Sequence, residues 1–148
     1  MTLNHWVEGS SPSEVTMRCF CLLFFLTGII LPLNAQVFDL SPKEFLGRIS
    51  KNPGAQVLDL REPEEFLYRH IPGAVNIQPT DEFFLQEVHN QLSASDTLYI
   101  YCRIGKTKEV IRLLLENGYH VIYNLKGGSV AWDTYLEKER RRGKKSGH

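Results

Sequence analysis

The sequence lacks an excess of charge of either sign, because 17 Lys and Arg residues balance 17 Asp and Glu residues among 148. Proteins that bind nucleic acid or anionic membranes across a whole surface usually carry a marked positive charge. We therefore expect neither kind of partner. The C-terminal stretch 139–148 is locally basic, but no aromatic residues interrupt its charges. We interpret it as a basic, flexible tail.

No apolar run is long enough to suggest a stable membrane anchor. The longest, residues 19–33, falls short of the roughly twenty residues needed to span a bilayer. It follows Arg18 and ends in Leu33-Asn34-Ala35, which resembles the small-residue cleavage site of an export signal. We predict a signal peptide over residues 17–35 and an exported protein, periplasmic or secreted.

The first sixteen residues do not fit that signal, since they are polar and include Glu8 and Glu14. The segment that opens a signal peptide is positively charged rather than acidic. We predict that Met17 is the true start and that 1–16 is an upstream extension.

Cysteine is scarce once the signal peptide is removed. Cys19 and Cys21 leave with it, and only Cys102 remains. No internal disulfide can then form, and an unpaired thiol in an exported protein is a candidate reactive group. The five histidines are scattered without metal-ligand spacing, so we expect no metal and no cofactor.

The remaining chain, 36–138, alternates two kinds of apolar pattern. This alternation, with near-continuous apolar strands, predicts an α/β domain. Its sheet should be central, mostly parallel and of about five strands, with helices on both faces. Strand patterns occupy 55–60, 97–101 and 120–125, and within 70–77 a Pro-Gly turn is followed by a short apolar strand. Helical patterns occupy 41–49, 62–69, 80–92, 108–118 and 127–139.

Cys102 directly follows the apolar strand pattern 97–101 and precedes a loop, 103–107, that enters a helix. Ligands of open parallel sheets bind at the carboxyl ends of the strands, which places Cys102 at that edge. Backbone N–H groups of the loop, the helix N-terminus and nearby cations all favour a thiolate over a thiol. From this window alone, a reactive thiolate and a half-buried cysteine at a strand end are equally open.

Three motifs in order change that balance: "DLREPEEFLYRHIPGAVNI", "CRIGKT" and "LKGGSVAW". Together they resemble the rhodanese-like family of single-domain sulfurtransferases, over residues 38–136. The resemblance implies a rhodanese-like fold. It implies that Cys102 takes sulfane sulfur from a small donor, thiosulfate or a polysulfide, as a persulfide and passes it to a thiol or cyanide. The protein is expected to be a monomer. The loop residues that would bind the substrate are Arg103, Ile104, Gly105, Lys106, Thr107 and Lys108.

Four further residues near the same edge are expected to be structural. Asp59 and Arg61 are predicted to form a buried ion pair with Glu65. His70 is predicted to be a hydrogen-bonded turn residue rather than a base, because a thiolate held by backbone donors needs none. The double glycine of "LKGGSVAW" is predicted to let the backbone pass closely before the last helix.

The loop departs from the family pattern Cys-Arg-Ser-Gly-x-Arg-Ser. Ile104 replaces the first Ser, Thr107 stands where the second Arg is common, and Lys108 stands where Ser or Thr is common. Because the second Arg is missing at position 107, we predict that thiosulfate binds more weakly. A phosphatase of the Cys-x5-Arg type is disfavoured, because Lys108 cannot grip phosphate as a planar guanidinium does. A non-catalytic rhodanese-fold binding or regulatory module remains the alternative.

Overall fold

A computed structural model describes residues 35–145. The predicted upstream extension and nearly all of the predicted signal peptide lie outside the described residues. The strands are β1 (Gln36–Leu40), β2 (Gln56–Asp59), β3 (Ala74–Asn76), β4 (Leu98–Tyr101) and β5 (Val121–Leu125). The helices are α1 (Pro42–Ile49), α2 (Pro63–Tyr68), α3 (Phe84–Gln91), α4 (Lys108–Glu116) and α5 (Gly128–Lys145).

The five strands form one sheet in the order β1-β5-β4-β2-β3, and every neighbouring pair is parallel. β4 lies at the centre, where Tyr99 pairs with Val57 on one side and Tyr123 on the other. The predicted α/β fold with a parallel sheet of about five strands is confirmed.

Alternate side chains of β4 enter two separate cores, one on each face of the sheet. Leu98 and Ile100 join the core beneath α3 and α4, whereas Tyr99 and Tyr101 join the core beneath α1 and α5. All four side chains are buried. Because both faces are covered, β4 is apolar along its whole length. The helical partners are, on the first face, Val88 and Leu114 and, on the second, Phe45 and Trp132.

The first helix begins as the sequence predicts. Ser41 caps α1: its hydroxyl accepts from the backbone N–H of Glu44, and the Glu44 carboxylate accepts from the Ser41 backbone N–H at 2.9 Å. Pro42 occupies the first turn, where its missing N–H has no cost. The predicted capping box is confirmed.

β1 is an element for which the sequence gives no strand pattern. Most of its residues are exposed, and no regular alternation of apolar and polar positions marks it. It is held by pairing with β5, in register from Gln36 opposite Val121 to Leu40 opposite Leu125. Non-local pairing therefore makes this strand, rather than local propensity.

α5 corrects the predicted flexible tail. The helix continues through Lys145, so residues 139–145, predicted to be a flexible tail, are helical. Its last turns are solvated, but two ion pairs support them, and each joins residues about one helical turn apart. These are Arg141–Glu137 at 3.6 Å and Arg142–Glu139 at 2.8 Å. Such pairs each add a few tenths of a kcal/mol, roughly 0.2–0.5, to an exposed helix. Within residues 35–145, none of the helices combines the length and apolarity needed to cross a bilayer.

Candidate active site

Cys102 lies at the carboxyl end of β4, the central strand. The four residues of β4 are buried, whereas Cys102 is half-buried and is a free thiol. The backbone N–H of Gly105 donates a hydrogen bond to the Cys102 Sγ at 3.1 Å. Gly105 has φ +80°, a conformation that favours glycine and lets the loop curl back over the sulfur. A backbone dipole therefore points at the sulfur and stabilises negative charge there.

The N-terminus of α5 holds the other side of this loop. The N–H of Ser129 donates to the carbonyl of Cys102 at 2.9 Å, and the N–H of Val130 donates to the carbonyl of Arg103 at 3.2 Å. A Cβ at Gly128 would lie 2.3 Å from the Cys102 carbonyl oxygen, so only glycine allows this approach. The predicted close passage of the double glycine is confirmed.

Thr107 points its side chain into the protein interior. Its side chain is 1% exposed, and its hydroxyl donates to Asn124 Oδ1 at 2.9 Å. The Asn124 amide in turn donates to Asp39 Oδ1 at 2.6 Å. Thr107 therefore fastens the loop to β5 and β1. Asn124 was not among the predicted site residues, although a polar residue inside the apolar strand "VIYNL" is a usable signal of such a contact.

The exposed side chains of the loop are Arg103, Ile104, Lys106 and Lys108. Arg103 Nη1 lies 3.7 Å from Glu65 Oε1 in a partly exposed ion pair. This pairing corrects the prediction that Glu65 joins Asp59 and Arg61. α2 contributes Glu65 to the rim of the loop instead of to the buried ion pair.

The buried ion pair joins Asp59 to Arg61 alone. Arg61 Nη2 lies 2.6 Å from Asp59 Oδ2, and the Arg61 backbone N–H donates to Asp59 Oδ1 at 2.9 Å. The Tyr101 hydroxyl also donates to Asp59 and accepts from the backbone N–H of Ile71 at 3.2 Å. This network ties β2 to the residue that precedes Cys102.

Burial and the neighbouring Asp59 determine the charge states of Tyr101 and Arg61 in that network. Burial, and the hydrogen bond to Asp59, raise the pKa of Tyr101 well above its ordinary value, so the phenol stays neutral. Burial alone would lower the pKa of Arg61, but the hydrogen bond and charge of Asp59 outweigh it and raise the pKa. Neither group changes its charge near neutral pH, so the network is structural.

His70 is exposed and is held by two contacts with Phe66. Its Nδ1 donates to the Phe66 carbonyl at 2.9 Å, and the two rings stack with centroids 3.9 Å apart. This geometry fits the predicted turn residue. Within residues 35–145, no three His, Cys, Asp or Glu side chains are grouped so that they could hold a metal ion.

Comparison with known families decides the identity of the domain. Residues 41–135 match the family model of the rhodanese-like domain. The chain belongs to the rhodanese-like domain family. The matched span includes Cys102, its loop and the Asp59–Arg61 ion pair, so the predicted resemblance is confirmed.

Individual relatives agree with this assignment. YqhL of Bacillus subtilis is 35% identical over 121 residues, which cover 75% of this chain and 89% of YqhL. Thiosulfate sulfurtransferase 16, a chloroplastic protein of Arabidopsis thaliana, is 29% identical over 53% of this chain and 74% of its own length. A crystal structure of a rhodanese-like domain protein from Staphylococcus aureus superposes with a TM-score of 0.55 and 25% identity, over 64% of this chain and 90% of that one. Two further relatives are longer proteins, of which this chain spans only 50% and 25%.

Proposed function

We propose that the protein is an exported sulfurtransferase that carries sulfane sulfur as a persulfide on Cys102. The donor is thiosulfate or a polysulfide, and the acceptor is a thiol or cyanide. The hydrogen bond from the Gly105 N–H to the Cys102 Sγ carries this proposal. It directs a backbone donor at the sulfur of a cysteine that is only half-buried.

The reaction divides into two balanced transfers. The Cys102 thiolate attacks the outer sulfur of thiosulfate, an S–S bond forms, and sulfite leaves with the electron pair of the broken S–S bond. The outer sulfur of the resulting persulfide carries the negative charge. An acceptor thiolate or cyanide then attacks that sulfur, and the Cys102 thiolate leaves. No external oxidant or reductant is consumed, and the single difficult transfer becomes two easier ones.

Two features of the chain bear on the choice of donor. Position 107, where the family commonly has an arginine, is occupied by a buried threonine that is hydrogen-bonded to Asn124. This chain therefore has no guanidinium at that position to bind an anionic donor. The exposed side chains of Arg103, Lys106 and Lys108 make the loop positively charged. They do not replace the bidentate hydrogen bonds that an arginine at position 107 could donate to an anionic donor. We therefore propose that polysulfides serve at least as well as thiosulfate. The name of the Arabidopsis thaliana relative supports sulfur transfer as the reaction class.

The test is the intact mass of the purified protein after incubation with thiosulfate or polysulfide. We expect a gain of one sulfur atom, reversed by cyanide with release of thiocyanate. Cys102→Ser, which barely changes side-chain size, should form no adduct. Gly143→Ala, near the end of α5 and away from the loop, is the control variant and should keep the adduct.

Two results would contradict the proposal. A persulfide that persists in Cys102→Ser would place the carrier elsewhere. A protein that gains no sulfur from any donor would favour the non-catalytic binding or regulatory module.

A further inference from the structure

A cavity of about 240 Å³ beside the reactive loop is lined by three arginines, Arg61, Arg69 and Arg103. The cavity adjoins the peptide that carries the thiol, because Arg103 directly follows Cys102 in the chain. Ser129, another lining residue, donates its backbone N–H to the Cys102 carbonyl at 2.9 Å. An anionic sulfur donor that approaches Cys102 from this side therefore meets the charges of the cavity.

Each of these arginines is paired with a carboxylate. Arg103 Nη1 lies 3.7 Å from Glu65 Oε1. Arg69 Nη2 lies 2.9 Å from Asp133 Oδ2. Both carboxylates line the cavity as well, and the remaining arginine belongs to the buried ion pair with Asp59. Because the other lining residues are uncharged, three positive charges are matched by three negative ones, and the cavity has no net charge.

Folding stability does not account for the two exposed pairs. The side chains of Arg103 and Glu65 are 70% and 32% exposed. Those of Arg69 and Asp133 are 57% and 38% exposed. Ion pairs in contact with water contribute little to stability, because the solvent screens them. Their position around a cavity beside Cys102 indicates an effect on the molecules that reach the thiol.

The charge of the donor determines how strongly these carboxylates act on it. Thiosulfate carries two negative charges, and the Coulomb energy between two groups is proportional to the product of their charges. Without their carboxylates, Arg69 and Arg103 would attract such a dianion over the roughly 10 Å across which charges interact at about 0.1 M salt. Glu65 and Asp133 cancel that attraction. A donor with a single negative charge loses half as much interaction energy.

We propose that Glu65 and Asp133 determine the donor specificity of the sulfur transfer by neutralising Arg103 and Arg69. They discriminate against dianionic donors and favour donors of lower charge, such as thiosulfonates. This inference rests on the proposed function, because Cys102 is the nucleophile. The Cys102 thiolate attacks the outer sulfur of a thiosulfonate, an S–S bond forms, and a sulfinate leaves with the electron pair of the broken S–S bond.

The test compares thiosulfate with methanethiosulfonate, which has nearly the same shape and one negative charge fewer. Cyanide is the acceptor and thiocyanate is measured. Because the two transfers are separate steps, kcat/KM for the donor reports only the first. In the double variant Glu65→Gln, Asp133→Asn at low salt, we expect kcat/KM to rise about tenfold for thiosulfate and about threefold for methanethiosulfonate, since doubling the charge doubles the interaction energy.

Two further features of that rise identify it as electrostatic. It should come mainly from a lower KM for the donor, because the freed arginines improve binding and not the chemical step. It should also nearly vanish at about 1 M salt, where the Debye length falls to about 3 Å.

Two control variants separate the local charges from other effects. Glu65→Asp, Asp133→Glu keeps both charges and should keep the ratio of the two donors' kcat/KM values. Glu116→Gln, Glu137→Gln removes two carboxylates that are paired with arginines along α4 and α5. It changes the net charge of the protein by the same amount and should leave the donor ratio unchanged.

A donor ratio that Glu65→Gln, Asp133→Asn leaves unchanged would overturn the inference while sulfur transfer persists. The same holds if Glu116→Gln, Glu137→Gln raises the ratio equally. A protein that takes sulfur from neither donor would instead overturn the proposed function, and the inference with it.

Discussion

Asp59 has no exposed surface and accepts hydrogen bonds from the Arg61 backbone, the Arg61 guanidinium and the Tyr101 hydroxyl. A buried charge is tolerated only when its partners satisfy it, and breaking such a pair leaves an uncompensated charge. Because Tyr101 directly precedes Cys102, this carboxylate also fixes the end of the strand from which the thiol projects.

Arg61→Ala should therefore be strongly destabilising, because it leaves the Asp59 carboxylate buried without its cation. We expect a loss of about 3–5 kcal/mol in the free energy of unfolding, measured by urea denaturation. Arg69→Ala is the control, since Arg69 and Asp133 form an ion pair that is largely exposed. That change should cost about 0–1 kcal/mol. Equal losses in the two variants would contradict a stabilising role for the buried pair.

The residues of the site differ in how well the sequence predicts their contacts. Cys102 and Gly105 could be placed from the sequence, because a strand end followed by a glycine-containing loop is a local pattern. Thr107 and Glu65 could not, since their partners depend on which way the loop and α2 turn in the folded chain. Asn124 stands 17 residues from Thr107, and no local pattern pairs them.

At the scale of elements, the reactive loop and α5 meet in a close backbone junction. Gly127 and Gly128 have φ values of +77° and +63°. Their backbone brings the first N–H groups of α5 onto the carbonyls of Cys102 and Arg103. Main-chain hydrogen bonds therefore anchor the helix to the reactive loop.

Gly128→Ala tests this junction. The added Cβ would meet the Cys102 carbonyl oxygen, and alanine disfavours a positive φ. We expect a loss of about 2–6 kcal/mol in unfolding free energy, because overpacking and a left-handed backbone each cost about 1–3 kcal/mol. Sulfur transfer should fall as well.

Gly143→Ala in the same helix is the control, because apart from the neighbouring backbone of the helix itself nothing lies within 4 Å of its added Cβ. It should be neutral or stabilise the protein by up to about 1 kcal/mol, since alanine favours a helix. An unfolding free energy of Gly128→Ala equal to that of Gly143→Ala would contradict a requirement for the close approach of Gly128 to the Cys102 carbonyl.

The elements differ in how far the sequence predicts them. α1 could be placed from its cap, and β4 from its continuous apolar run, because both signals are local. β1 depends on β5, and the last turns of α5 depend on side-chain ion pairs, so neither stands out as a periodic apolar pattern. Propensity is a weak guide wherever distant contacts or surface charges decide the outcome.

At the scale of the whole molecule, export remains a prediction. The apolar run and Leu33-Asn34-Ala35 predict a mature N-terminus at or near Gln36. Cleavage there would leave β1 intact, because β1 begins at Gln36. N-terminal sequencing of protein from the native host, outside the cytoplasm, is the measurement. Recovery of residues 1–16 on cytoplasmic protein would contradict both the signal peptide and the start at Met17.

The pairing of β1 with β5 ties the beginning of the domain to its end. β1 has β5 as its one strand neighbour, and Leu40 on β1 pairs with Leu125 on β5. β1 therefore cannot pair before β5 has been synthesised. A ribosome delivers the chain from its N-terminus, so the sheet cannot be completed until nearly the whole domain has been synthesised. Contacts between distant parts of a chain also slow folding. Of the five strands, β1 is synthesised first, yet it can join the sheet only after β5 has been made.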